Sequence, residues 1–206
     1  MELPPDQAEQ MMPLMRLSIA DRHVLVLMGR AWSMNDALRH LNERKLVRCF
    51  ILPFREARWP LVAFCATPFL EPEERQAFRG LFAHTEQVLE LADENQFEVM
   101  LGLAGLVPTA FYTIIDALAD GALMMGLPRP QGLQFIGSVL LAAATSMLEG
   151  GKHPALLREE ALQSEAAATG LMELESAGIR GLMMRAVRRA MESNHDHGAR
   201  TTETEK

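Results

Sequence analysis

Asp116 and Asp120 stand four residues apart, a spacing that puts two carboxylates on one helix face, where they could share a proton or hold a cation. No histidine or cysteine lies near them in sequence to complete a metal site, so the plainer reading is a wet stripe or a helix-end hydrogen-bonding pair on a mostly buried helix. His195 and His197 flank Asp196 in a polar terminus with no rigid geometry to offer a metal. His23, His40, His84 and His153 are scattered, each beside an expected helix or strand end, and no zinc-protease spacing links them. Arg39, Arg44, Lys45, Arg48, Arg55 and Arg58 gather within twenty positions and could grip a phosphate, but Glu43 and Glu56 are interleaved with them. Arg185, Arg188 and Arg189 form a stripe whose packing side is Met183, Met184 and Val187, the pattern of a solvated or interface helix face. No nucleophile turn of the Gly-x-Ser-x-Gly kind is present. Fourteen glycines occur, none as Gly-x-Gly, so neither a dinucleotide fingerprint nor a glycine-rich phosphate loop can be drawn within the chain. No catalytic, cofactor-binding or metal-ligating set is therefore assigned from these residues.

The elements that would position such groups follow from composition and periodicity. With 206 residues, 49% of them apolar and 23% charged, the chain is of the globular class. Its formal charge of −7 argues against a nucleic-acid surface, which needs clustered Lys and Arg. The charge is spread evenly: residues 1–100 carry 11 basic and 15 acidic side chains, residues 101–206 carry 9 and 12, so neither half is a polyelectrolyte tail. Cys49 and Cys65 lie in apolar runs and read as buried thiols, which fits a reducing cytoplasm. The opening Met-Glu-Leu-Pro-Pro-Asp is acidic where a secretory signal is basic. The stretch from Leu133 to Leu148 carries polar and small residues and falls short of the ~20 needed to span a bilayer. It reads as a fully buried helix, and no membrane partner is expected.

The first half alternates strand-like and helix-like segments. Residues 5–17 have helical spacing broken at Pro13, and 23–28, 46–52, 60–66 and 87–91 are short β-rich runs. Ser33 with Asp36 resembles a helix start, and Pro72 with Glu71, Glu73 and Glu74 marks another that runs to about residue 84. Strands alternating with helices predict a parallel sheet covered on both faces. Beyond residue 93 the strand signal stops. Helices are expected over 111–125, 130–148, a short one from Pro154, 172–177 and 179–193, with breaks at Gly126, Gly150-Gly151 and Gly178, and the polar residues 193–206 read as disordered. The plan is an α/β piece over 1–95, a helical piece over 96–192 and a tail. The helices are apolar over too much of their circumference for a solvated monomer, so an oligomer is expected.

At residues 116–128 the run DALADGALMMGLP, followed by a long apolar helix, then MLEGGKHPALLREE and GLMELESAGIRGLMMRAV, resembles the C-terminal domain of the pyrroline-5-carboxylate reductases. The likeness covers about 98–192. Upstream, PPDQAEQMMPLM, HVLVLMG and KLVRCFILPF keep the family's order more loosely. The resemblance implies a truncated Rossmann-like sheet that begins after the first βαβ unit, followed by a helical dimerisation domain like that of the 6-phosphogluconate dehydrogenases. It implies a homodimer through helices 109–125 and 130–149, the dimers being open to further association.

By the same resemblance, the family reduces a cyclic imine to proline with NADPH or NADH, and hydroxyls and amides of the helical domain hold the substrate. Here the family's Ser-Gly-Ser-Gly-Pro-Ala-Tyr reads Ala104-Gly105-Leu106-Val107-Pro108-Thr109-Ala110, its Ser-Pro-Gly-Gly-Thr-Thr falls at Gln163 to Thr169, and the asparagine of its Met-Pro-Asn is Phe54. The resemblance implies a residual cleft near Pro53, Gly105, Pro108, Thr109, Ser164 and Thr169. Two readings follow. One is a catalytically inactive homodimeric scaffold or binding protein without a cofactor. The other is a divergent imine reductase that uses NADP or NAD, its cofactor-binding segment lying outside this chain.

Overall fold

A computed structural model of the chain describes residues 18–28, 32–41, 44–52, 61–84 and 87–203, together with Met11 and Leu14, with side chains described as far as Glu192. The expected 5–17 helix lies largely outside the described residues. The chain divides into two compact units, one of residues 1–104 with 191–206, the other of residues 105–190.

The first unit is built on four strands in the order β1 (Leu25–Met28), β2 (Leu46–Leu52), β3 (Leu61–Ala66) and β4 (Val88–Glu90). β1 and β2 run parallel with Leu25 opposite Leu46, and β3 and β4 run parallel with Val62 opposite Val88. The central pair β2 and β3 is antiparallel, with Arg48 opposite Cys65, so the sheet is parallel only in its outer pairs. The reason lies in connection length. The link from β2 to β3 is residues 53–60, too short for the crossover of a dozen or more residues that parallel neighbours need. The other two links each hold a helix: α1 (Met34–Leu41) between β1 and β2, and α2 (Pro72–Gly80) between β3 and β4. Both helix starts follow the sequence pattern. Ser33 Oγ donates to Asp36 Oδ2 at 2.6 Å and accepts from the Asp36 N–H at 3.0 Å, while Glu74 Oε2 accepts from the Glu71 N–H at 3.0 Å.

Strand alternation sorts β2 into two cores. Leu46 faces one cluster with Leu27, Met34, Ala37, Leu41, Cys65, Phe97 and Leu101. Val47 and Cys49 face another with Val62, Phe64, Leu70 and Phe78. Phe64 and Phe78 meet edge to face at 4.9 Å, and Phe82 continues the stack at 5.4 Å from Phe78.

From Glu94 the chain is helical: α3 (Glu94–Met124), α4 (Arg129–Gly150), α5 (Pro154–Ala161), α6 (Glu165–Ser176) and α7 (Ile179–Glu203). Gly126, Gly151 and Gly178 take φ of 94°, 58° and 74° at three of the helix ends, the left-handed conformation that glycine adopts without steric cost.

Four expectations about the helices are corrected. The 111–125 helix is the second part of a single 31-residue helix that passes through Pro108 rather than starting there. Proline forfeits one hydrogen bond, and the apolar helical pattern on both sides carries the helix across it. The helix expected to be fully buried, α4, has Gly132 as its sole buried residue, because a single chain has nothing to lay over it. α3 and α4 are also each long and apolar enough to cross a membrane, by length and composition only, a length the 133–148 stretch did not suggest. Finally, α7 extends to Glu203 instead of stopping near 193, since adding a residue to an existing helix is far easier than nucleating one.

Candidate functional site

The basic cluster separates into ion pairs. Arg39 meets Asp36 at 3.1 Å, Arg44 meets Asp21, and Lys45 meets Glu74 at 2.6 Å. Arg48 is the exception in burial, its side chain only 2% exposed. Its Nη1 donates to Glu94 Oε1 at 2.7 Å and to Glu98 Oε1 at 2.5 Å, and its guanidinium lies 4.8 Å from the centre of the Phe97 ring. Glu94 Oε1 also accepts from the Met34 N–H at 2.5 Å, so one carboxylate joins the start of α1, the middle of β2 and the start of α3. No described member of the cluster is left for phosphate, and Arg55 and Arg58 lie outside the described residues.

Asp116 and Asp120 both accept from the Arg129 guanidinium. They form an exposed fork across the Gly126 turn and do not poise each other for acid–base work. Arg129 was not singled out by the sequence reading; its signal was its place at the start of the helix that follows the two aspartates. Of the histidines, His23 Nδ1 accepts from the Ala20 N–H at 2.9 Å, His40 stacks obliquely on Trp32 at 5.6 Å, and His153 Nδ1 accepts from the Ala155 N–H at 3.2 Å to cap α5. The side chains of His195 and His197 lie outside the described residues, and among the described ones no metal-holding group of His, Cys, Asp and Glu forms. Both cysteines are buried and free. Burial pushes the Cys49 thiol up to about 11, and burial with the nearby Glu94 carboxylate pushes Cys65 up to about 12.

The proposed cleft residues are placed as follows. Pro53 lies outside the described residues, as does Phe54. Gly105, Pro108 and Thr109 fall inside α3, Ser164 caps α6, and Thr169 lies within α6. The Thr109 hydroxyl donates to the Gly105 carbonyl at 3.0 Å and the Thr169 hydroxyl to the Glu165 carbonyl at 3.0 Å. Ser164 Oγ accepts from the Ala167 N–H at 3.2 Å, and among the described residues its own proton meets no acceptor. Two of the three hydroxyls thus direct their only donor at their own helix.

Thr109 lines an open groove of about 570 Å³ within the helical unit, shared with Tyr112, Thr113, Ile115, Asp116 and Leu133; Ser164 and Thr169 are not on its lining. Tyr112 and Thr113 escaped the sequence reading because nothing in their spacing separates them from the apolar stripe around them. The walls offer one phenol, threonines engaged with backbone, and an aspartate already paired with Arg129.

Comparison with known proteins places this architecture. The family model described as "Pyrroline-5-carboxylate reductase dimerisation" matches residues 94–196. A pyrroline-5-carboxylate reductase of Glycine max is 39% identical over 97 residues, which are 47% of this chain and 35% of that protein, so the match spans about a third of the relative's length. Among solved structures, a pyrroline-5-carboxylate reductase from Coxiella burnetii superposes with a TM-score of 0.82 at 18% identity, over 95% of this chain and 73% of the other. That from Plasmodium falciparum, with NADP bound, superposes with a TM-score of 0.77 at 17% identity, over 96% of this chain and 79% of the other. At such identities the structures speak for the fold: a Rossmann-type sheet followed by a helical domain. With the matched helical region amounting to half of its length, the chain belongs to the pyrroline-5-carboxylate reductase family.

Proposed function

We propose that this chain is a catalytically silent member of the family, a homodimeric scaffold or binding protein assembled through α3 and α4. The observation that carries the reading is the apolar surface these helices leave uncovered. Phe135, Leu141 and Leu148 on α4 are 67%, 69% and 63% exposed. Phe111, Leu118 and Met124 on α3 are uncovered as well. A patch of this kind marks an interaction site, and it falls inside the region matched to the dimerisation model.

Silence is supported by the hydroxyls. A substrate carboxylate needs donors, and Thr109 and Thr169 direct theirs at helix carbonyls, while Ala104 and Leu106 stand where the family carries serines. The reading places the chain in the cytoplasm with neither nucleic acid nor membrane as partner and with no bound NADP or NAD. Analytical ultracentrifugation tests the assembly: a species of twice the 22.9 kDa chain mass is expected, and a monomer at micromolar concentration overturns it. Incubation with NADPH and pyrroline-5-carboxylate tests the silence, and steady oxidation of NADPH overturns that part alone.

A second reading is a divergent NAD(P)H-dependent imine reductase whose cofactor-binding segment lies outside these 206 residues. Two observations favour it: the superposition on a structure holding NADP, and the free proton of Ser164. Fluorescence titration with NADPH of a longer protein that carries the segment encoded ahead of residue 1 separates the readings: saturable micromolar binding supports the second, and its absence supports the first.

A further inference from the structure

We propose that α3 is jointed: the helix flexes between Ala104 and Thr109, with Pro108 as the cause. Pro108 stands inside the helix and brings no N–H to the Ala104 carbonyl four residues earlier, the partner it would otherwise bond. The boundary between the two compact units falls at the same place, between Ala104 and Gly105.

Each arm of the helix is fixed within its own unit. On the N-terminal side Phe97 and Leu101 are buried in the sheet unit's core, and Glu94 and Glu98 hold Arg48. On the C-terminal side Ala119 is fully buried, and the backbone of Gly132 on α4 passes close to Ala119 and Ala122. Within one chain residues 103–113 between these anchors are partly or fully exposed, so little intrachain packing there resists bending. Gly105 adds backbone freedom without a side chain. The Thr109 and Thr113 hydroxyls bond the Gly105 and Thr109 carbonyls at 3.0 and 2.9 Å, a local bond that favours bending. A missing rung, a glycine and the back-bonded Thr109 thus concentrate compliance in about one and a half turns, with the Thr113 bond in the turn that follows.

Pulsed electron–electron distance measurement on the full-length protein tests the joint. Nitroxides are attached through ketone-bearing residues at the exposed positions Asn95 and Ala117, and labelled chains are diluted with unlabelled ones so that only intrachain distances are read. A straight helix separates these positions by about 33 Å. The natural chain is expected to give a broader distribution with a shorter mean than Pro108→Ala, whose distribution narrows toward the straight-helix value. Gly105→Ala, which keeps the proline, is expected to fall between them and decides the matter should Pro108→Ala not fold. Matching distributions in the natural chain and the variants, whether narrow or broad, overturn the proposal.

Discussion

In the sheet unit Phe64, Phe97, Leu46 and Val47 are wholly shielded by a single chain, whereas along α4 every large apolar residue, Phe135 and Leu141 among them, remains partly or fully exposed. Both regions are rich in Leu, Val, Ile and Phe. What differs is the source of the cover: the sheet has helices on each face from its own connections, and the long helices have too few neighbours within the chain. Hydrophobic content alone therefore tells that a surface is to be covered and leaves open by which molecule.

The sharpest way to break this contrast is to delete matched aromatics. Phe64→Ala is expected to destabilise the folded chain by about 3–5 kcal/mol, read as a fall in the urea midpoint at constant slope; a loss below about 1 kcal/mol would mean that the sheet core is not closed. Next in size is Arg48. Arg48→Ala leaves Glu94 and Glu98 facing the core without a counter-charge, at a cost of about 3 kcal/mol, near the lower end for a broken buried pair because Glu98 reaches solvent; chemical denaturation of this variant beside Glu98→Gln, which should cost less, checks it. In the helical unit, Phe135→Asp should leave the urea midpoint of the monomeric form almost unmoved and raise the dimer dissociation constant by roughly thirtyfold, equivalent to about 2 kcal/mol. Sedimentation equilibrium measures that constant, and an unchanged value removes Phe135 from the interface.

The smallest effect concerns acid. The Lys45 hydrogen bond, helped by the Glu71 N–H, holds the Glu74 carboxyl below its ordinary value. The group therefore contributes stability that is complete above the unfolded carboxylate range and is lost as pH falls through the lowered folded value. Thermal melts of the natural chain and Lys45→Met between pH 6 and 3 should converge at the acid end. A gap that stays constant over that span contradicts the assignment.

Much of the sheet unit was legible in the sequence because strand runs and their stops are local. Leu46 to Leu52 ends before Pro53, and Pro72 marks a helix start, so both elements could be read within a few residues. The antiparallel centre of the sheet was not legible by alternation of elements, although the length of 53–60 contains it. The run of α3 upstream of residue 111 was not legible because Pro108 interrupts the local helix signal, and only the long apolar pattern on both sides carries the helix through it. At the candidate site, Thr109, Ser164 and Thr169 were recognised by position. Where their protons point depends on helix geometry, and a one-dimensional spacing does not state it. The Arg129 fork and the Arg48 hub were missed for a related reason: each unites residues from different elements, at separations of 9 to 50 in the chain.

Cys49 and Cys65 give the molecule a built-in reporter. Both thiols sit in the sheet unit and the helical unit has none, so alkylation monitors one unit only. Burial raises the less shifted thiol to about 11, so both are protonated at neutral pH, and burial blocks the reagent as well. Iodoacetamide added to the native protein would thus record the frequency with which the helices covering the two faces of the sheet lift away, α1 and the first turns of α3 from Cys65 and α2 from Cys49.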